Sequence, residues 1–409
     1  MMVKKRKFQP GRDWIWYAPN TTDVYSKREI DAVAKCLEEG WLSPGKYAAE
    51  FEKKISRLYG KRYGIFVNSG SSANLLAIDA MRFKPGSEIV TPACTFSTTL
   101  NPIIQLGYVP VFVDVTPGAY VADPEFVRKA ISRKTAAVVV PHLIGRFADM
   151  PAFAAICRSR GISLIEDSCD TIGGSIKGKP TGVWSDITTT SFYASHVITA
   201  GGGGGMVMTN DKSIAGRVRL MRDWGRGISR HDEDIRSRLT TYKVGGEYYD
   251  SAYVFVERGY NMKPIEMQAA FGLTQLRNLK KFLARREYNF GRLRNFFKPF
   301  EKFFILPVDL PQSQTNWLAF PLTIRSEAPF SRNELVKCLE ARKIQTRPLF
   351  AGNILRHPGY RDITRRLVGN LKNSDVIMRQ SFLIGCHHGL TPDMLAYVEE
   401  AFNKFLSRF

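Results

Sequence analysis

From Lys46 to Val207 the chain alternates short, almost wholly apolar runs with amphipathic ones, and few folds accommodate that pattern. The runs GIFV (64–67), EIVTPA (88–93), VPVFVDV (109–115), AAVVVPH (136–142) and ISLIEDS (162–168) lack the in-and-out alternation of a strand with one wet face. Each is read as a strand buried on both faces. Between them, SSANLLAIDAM and MPAFAAICRSRG carry helical patterning, the second ending in the glycine that a helix C-terminus favours. Strand and helix in turn predict an α/β fold with a mostly parallel central sheet.

Beyond Pro264 the texture changes. IEMQAAFGLTQLRNLKKFLARREYNFGRLRNFF reads as one long helical stretch, followed by strand-like NWLAFPLTI (316–324) and helix-like SRNELVKCLEARK. The expected organisation is a large α/β domain over residues 1–285, N-terminal segment included, and a smaller C-terminal α+β domain over 286–409.

A net charge of +21 and the basic run KKRK at Lys4 to Lys7 would suit a nucleic-acid partner. The basic residues are spread along the chain and often sit beside acids, as in SRHDEDIRSR, and no nucleic-acid motif is present, so none is expected as partner. No apolar stretch approaches the roughly 20 residues needed to span a bilayer. The first residues run into Pro10 and Gly11 instead of an apolar segment, which predicts a cytoplasmic protein without a signal peptide. Six scattered cysteines with no CxxC pair are read as reduced thiols, and no metal site is expected.

Four stretches carry candidate chemistry. NSGSSANLLAI (68–78) puts glycine and serines at the turn from a strand into a helix, where backbone N–H groups and the helix dipole can bind a phosphate. The same serines could simply cap the helix. LIEDSCD (164–170) is an apolar strand ending in carboxylates; such an acid can pair with a protonated pyridine nitrogen or merely cap the following loop. In TPACTFSTT (91–99), Phe96 could stack on an aromatic ring. SFYASHVITAGGGGGMVMTN (191–210) places His196 between two strand-like runs.

In order and spacing these stretches resemble the DegT/StrS family of sugar aminotransferases, pyridoxal-phosphate enzymes of the aspartate-aminotransferase fold, fold type I, from about Trp41 to the C-terminus. The resemblance implies that Gly70, Ser71 and Ser72 cradle the cofactor phosphate with Ser191, that Phe96 stacks on its ring, and that Asp167 pairs with the pyridine nitrogen. It also implies a homodimer with a shared active site, in which Asn261 of GYNMKPIEMQAA reaches the neighbouring subunit's phosphate.

The family's aminotransferases have the cofactor lysine where this chain has His196. Lys179 and Lys212 are the nearest lysines, too far along the chain to be a shifted copy. Imidazole is a competent general base near neutral pH, and one branch of the family has histidine here: the nucleotide-diphospho-4-keto-6-deoxyhexose 3-dehydratases, which work from pyridoxamine phosphate. Asp170 stands where the aminotransferases usually have glutamine or histidine and is grouped with the cofactor-binding residues. RDWGR (222–226), RGYNMK (258–263) and TRPLFAGNILRHP (346–358) are also similar to that branch, the last offering Arg347 and Arg356 as partners for anionic groups of the substrate.

Two departures matter. A cluster-bearing member of the branch holds its iron-sulfur centre on cysteines just after DWGR, whereas residues 227–250 here contain no cysteine, so no iron-sulfur cluster is expected. Gly202 stands where the family usually has glutamate. The resulting expectation is a pyridoxal/pyridoxamine-phosphate 3-dehydratase of a nucleotide-diphospho-4-keto-6-deoxysugar, such as GDP-4-keto-6-deoxymannose or CDP-4-keto-6-deoxyglucose, acting in 3,6-dideoxysugar biosynthesis with an amino donor such as glutamate. The alternatives are a nucleotide-sugar aminotransferase and a non-catalytic cofactor-binding protein.

Overall fold

The computed structural model describes residues 7–19, 25–227 and 235–409. Lys4 to Arg6 of the basic run and residues 228–234 of the cysteine-free stretch lie outside the described residues. An eight-stranded sheet is built from β1 (Tyr63–Val67), β2 (Glu88–Pro92), β3 (Val109–Val113), β4 (Thr135–Pro141), β5 (Ser163–Asp167), β6 (Ile187–Ser191), β7 (Gly205–Thr209) and β8 (Arg366–Leu367). Their spatial order is β1-β7-β6-β5-β4-β2-β3-β8. Only β7 runs antiparallel to its neighbours; every other pairing is parallel.

Period-two geometry sends successive side chains of these strands into opposite cores. Val90, Val138, Val140 and Leu164 join one core with Phe153 of the helix Met150–Arg160 and with the C-terminal residues. Ile89, Ala137, Val139 and Ile165 join the other with Leu76 and Val218 of the helices Gly70–Asp79 and Lys212–Arg222. Both faces are therefore covered, as the apolar runs require. Gly161 ends the first of these helices at φ +62°, the left-handed conformation that glycine adopts without strain.

A second, four-stranded antiparallel sheet has the order Phe304–Ile305, Phe320–Ile324, Ser381–Ile384, Arg347–Pro348. Phe297 packs between it and the C-terminal helix, 5.5 Å from Phe320 and 4.7 Å from Phe402 between ring centroids. The two parts of the chain interlock. Ile15 N–H donates to Lys343 O and Ile15 O accepts from Gln345 N–H, at 2.8 and 2.9 Å, so the N-terminal segment lies along the C-terminal part, while β8 from the C-terminal part extends the large sheet.

Two elements differ from the sequence reading. The long helical stretch is two helices, Glu266–Arg277 and Leu279–Phe297, joined at Asn278, whose φ −93° and ψ −3° end the first. The strand expected over 316–324 begins only at Phe320. Asn316 and Leu318 instead bond across to the large sheet's loops, Asn316 Nδ2 to Ile172 O and Leu318 N to Ile144 O, at 2.9 and 2.8 Å.

The helix Lys46–Leu58 starts at Gly45, which has no side chain to cap it. Its cap comes from 220 residues away along the chain: the buried Glu266 carboxylate accepts from the N–H groups of Gly45, Tyr47 and Ala48 at 2.7, 2.6 and 3.2 Å. Removing a charged acceptor from buried donors costs about 1–3 kcal/mol. Glu266→Ala should accordingly lower the urea midpoint by an amount of that size, with Glu266→Gln losing less; unchanged midpoints in both would show that this cap contributes nothing.

Candidate functional site

The C-terminal ends of β1, β2, β4, β5 and β6 open into one cavity of about 300 Å³, at the end of a parallel sheet where ligands bind. β1 leads through Ser69 into the helix Gly70–Asp79. Ser69 caps it, its Oγ accepting from Ser72 N–H at 3.1 Å, and the first-turn N–H groups, which lack partners within any helix, face the cavity end. A Cβ on Gly70 would stand 2.6 Å from Ser191 Cβ, so only glycine lets the end of β6 close against this turn. Ser69, Gly70, Ser71 and Ser191 line the cavity.

Asp167, the last residue of β5, lies on the cavity wall and is buried. Its Oδ2 accepts from Asn74 Nδ2 at 2.8 Å and Thr99 Oγ1 at 2.7 Å, and its Oδ1 from Cys169 N–H at 3.2 Å. Asn74 is oriented by Thr189 Oγ1, which donates to its Oδ1. Neither Asn74 nor Thr99 was singled out from the sequence; the available signal was a polar side chain on the inward face of an otherwise apolar helix. Beside Asp167, His142 lines the cavity with its Nδ1 accepting from Ala148 N–H at 3.2 Å, which leaves Nε2–H to donate to the buried Glu166 at 2.9 Å.

Aromatic side chains form the remaining walls. Phe96, half exposed, meets Phe350 edge-on at 5.6 Å. Tyr17, carried in by the N-terminal segment, sits under the Arg347 guanidinium at 5.2 Å, and Tyr193 stands 6.0 Å edge-on from His196.

His196 opens onto the cavity, and among the described residues no lysine lines it. Its Nδ1 lies 3.2 Å from Ser191 O. A carbonyl only accepts, so Nδ1 carries the hydrogen and Nε2 of the neutral ring presents its lone pair. Nε2 is 3.9 Å from Asp170 Oδ1, each side chain leaving about a seventh of its surface open, 14% and 15%. Burial pushes His196 down to about 4, against the hydrogen bond to Ser191 O, and the Arg286 charge pushes it the same way. Burial pushes Asp170 up to about 7, against the hydrogen bond from Ile144 N–H, and the nearby Asp167 adds to the rise. The base is thus neutral and the acid largely protonated at mildly acid pH.

Of the residues proposed from the sequence, the fold brings Gly70, Ser71, Phe96, Asp167, Asp170, Ser191 and His196 to this cavity. Four stand outside its lining. Ser72 is spent on the helix cap. Asn261 is exposed, its backbone bridged to Asp223. Arg347 stacks over Tyr17, which lines the cavity, and Arg356 is held by both carboxylate oxygens of Asp375 at 2.9 and 2.6 Å. Gly202 has φ +98° with open space around a would-be Cβ, so this turn suits glycine by its backbone conformation and not for want of room. Among the described residues no three metal-ligating side chains come together.

Known proteins are similar over almost the whole chain. The dTDP-4-dehydro-2,6-dideoxy-D-glucose 3-dehydratase of Saccharopolyspora spinosa is 38% identical over 393 residues, covering 92% of this chain and 84% of its own. The lipopolysaccharide biosynthesis protein RfbH of Salmonella typhimurium is 36% identical, covering 95% and 91%. Among solved structures, E. coli GDP-4-keto-6-deoxy-D-mannose-3-dehydratase with bound hydrated PLP superposes with a TM-score of 0.85 at 27% identity, covering 95% of this chain and 99% of that one. The fold is accordingly that of the type I pyridoxal-phosphate enzymes. Residues 24–403 match the family model described as the DegT/DnrJ/EryC1/StrS aminotransferase family, and the chain belongs to that family.

Proposed function

We propose that the protein is a pyridoxamine-phosphate-dependent 3-dehydratase of a nucleotide-diphospho-4-keto-6-deoxyhexose, working without an iron-sulfur cluster. The observation that carries this reading is His196: at the place of the family's cofactor lysine stands an imidazole that lines the cavity with its Nε2 unprotonated, and among the described residues no lysine lines it. Similarity to a 3-dehydratase of a dTDP sugar and to one of a GDP sugar supports it.

The cavity fits the cofactor. Gly70 without a Cβ, Ser71, Ser191 and a helix N-terminus make a phosphate cradle at one end. Asp167, fixed by three donors, is a stationary anion for a pyridinium N–H, and Phe96 offers a ring face. In a homodimer the exposed Asn261 would complete the partner's phosphate site. When bound, pyridoxamine phosphate supplies an amine to condense with the C4 ketone and a ring that accepts an electron pair. His196 takes a proton at Nε2, Asp167 keeps the ring cationic, and Tyr17, Phe96 and Phe350 give the cavity an aromatic wall.

Deoxygenation at C3 is a net two-electron reduction of the sugar. Glutamate as amino donor provides those electrons on becoming 2-oxoglutarate and ammonia, so the overall reaction balances without an external reductase, in keeping with the cysteine-free stretch 227–250. Transamination at the sugar ketone is the second reading, favoured by the family's description and opposed by His196.

Borohydride added to the protein with pyridoxal phosphate should trap no adduct on any lysine, whereas the aldehyde absorbance should fade on adding glutamate; a lysine adduct would favour transamination. His196→Asn should retain the cofactor but lose about 100- to 10,000-fold in dehydration, the usual contribution of a general base; full activity would remove the histidine from the mechanism. Because burial holds His196 at about 4, its base form persists well below the ordinary imidazole value, and the acid limb of kcat should fall near pH 4 instead of near 6.5. An acid limb at 6.5 would mean that the working histidine is solvated.

A further inference from the structure

Dehydration needs a proton acceptor and, for a hydroxide that would otherwise leave as an anion, a proton donor. Resting on the reading above, we propose that Asp170 is the acid partner of His196: the neutral Asp170 carboxyl gives its proton to the departing C3 hydroxyl, and His196, close beside it, returns one to it. The geometry is specific. Asp170 Oδ2 accepts from Ile144 N–H at 2.8 Å, which pins the carboxyl and turns Oδ1 toward His196 Nε2, 3.9 Å away. On the far side of the ring Nδ1 is fixed on Ser191 O, which leaves the ring's lone pair on Nε2, the nitrogen next to the carboxyl. Both groups line the cavity.

The charges around the pair set where its proton rests. Asp167 stands next to Asp170 and disfavours a second carboxylate, and Arg286, fully buried in the helix Leu279–Phe297, disfavours an imidazolium. Cys169, Tyr17, Tyr193 and His142 complete the titratable lining. With acid neutral and base neutral, neither buried group carries a charge that the protein must solvate.

The step balances within the pair. With cofactor and sugar bound, His196 Nε2 would take the proton of a cofactor C–H bond whose electron pair would stay in the conjugated system, and the C3–O bond would break with its pair leaving on oxygen. Asp170 protonates that oxygen and water departs. The pair has gained one proton and given one, so it ends as imidazolium and carboxylate, and one transfer from Nε2 to Oδ1 resets it. No exchange with bulk solvent is needed.

The test uses nitrogen-labelled histidine in the cofactor-free protein, where six histidines give a resolvable spectrum. The His196 signals should show neutral imidazole across neutral pH, with a perturbation near pH 7 as Asp170 ionises and protonation only near 4. In Asp170→Asn the perturbation near 7 should vanish. In turnover, Asp170→Asn should lose at least about 100-fold more in sugar dehydration than in the glutamate half-reaction, which expels no hydroxide, and the wild-type fall in kcat above pH 7 should disappear; Asp170→Glu should recover part of the loss. Persistence of the step near 7 in Asp170→Asn, or equal losses in both half-reactions, would overturn the proposal. A wild-type protein that dehydrates no 4-keto sugar would instead defeat the functional reading, with the titration still deciding whether the two groups titrate as a coupled pair.

Discussion

Everything in the site is arranged around one buried anion. The Asp167 carboxylate ends β5 in the middle of the sheet, where an unpaired charge would be costly, and it is stabilised by donors from three directions: the helix Gly70–Asp79 through Asn74, the segment after β2 through Thr99, and its own following turn through Cys169 N–H. Charge-assisted hydrogen bonds of this kind are stronger and more directional than neutral ones. They fix the carboxylate and, with it, the relative placement of the helix that begins at Gly70, the turn that carries Phe96 and the loop that carries Asp170. In the proposed function, a ring held against Asp167 would have the turn at Gly70 and Ser191 at one end and His196 beside it.

Around that anion the protein keeps other charges low. His196 and Asp170 are pushed in opposite directions by the same burial, the base down and the acid up. A pair so placed holds a neutral base beside a largely protonated acid at mildly acid pH. Glu166, one residue before Asp167, shows the contrast: burial alone would raise its carboxyl, but His142 and neighbouring hydroxyls hold it below the ordinary range, making it an anchor and not a proton carrier. Two adjacent acids and a third, three residues on, thus have different tasks set by their donors.

Much of this was legible in the sequence, and the failures have physical causes. Strands buried on both faces write themselves as apolar runs, so β1 to β5 were readable to within a residue or two. Gly70, Ser71, Asp167, Asp170, Ser191 and His196 converge because they sit at ends of strands in one parallel sheet, which the alternation already implied. Asn74 and Thr99 were missed because a polar residue on a helix's inner face says nothing about which distant carboxylate it will meet. Tyr17 was missed because its position depends on a backbone pairing between Ile15 and residues Lys343 and Gln345 that no local pattern signals. The late start at Phe320 is a tertiary effect as well: hydrogen bonds from Asn316 and Leu318 to the facing loops outweigh strand propensity. Arg356 was legible as a cation but not as one already committed to Asp375.

The most direct measurement is the mass and nitrogen content of the sugar product when the purified protein, pyridoxal phosphate and nitrogen-labelled glutamate are given a nucleotide-diphospho-4-keto-6-deoxyhexose. Loss of one oxygen from the sugar, with the labelled nitrogen recovered as ammonia, is the result predicted for a histidine in the lysine's place. A product that keeps its C3 oxygen and carries the labelled nitrogen at C4 would contradict it and make the protein an aminotransferase.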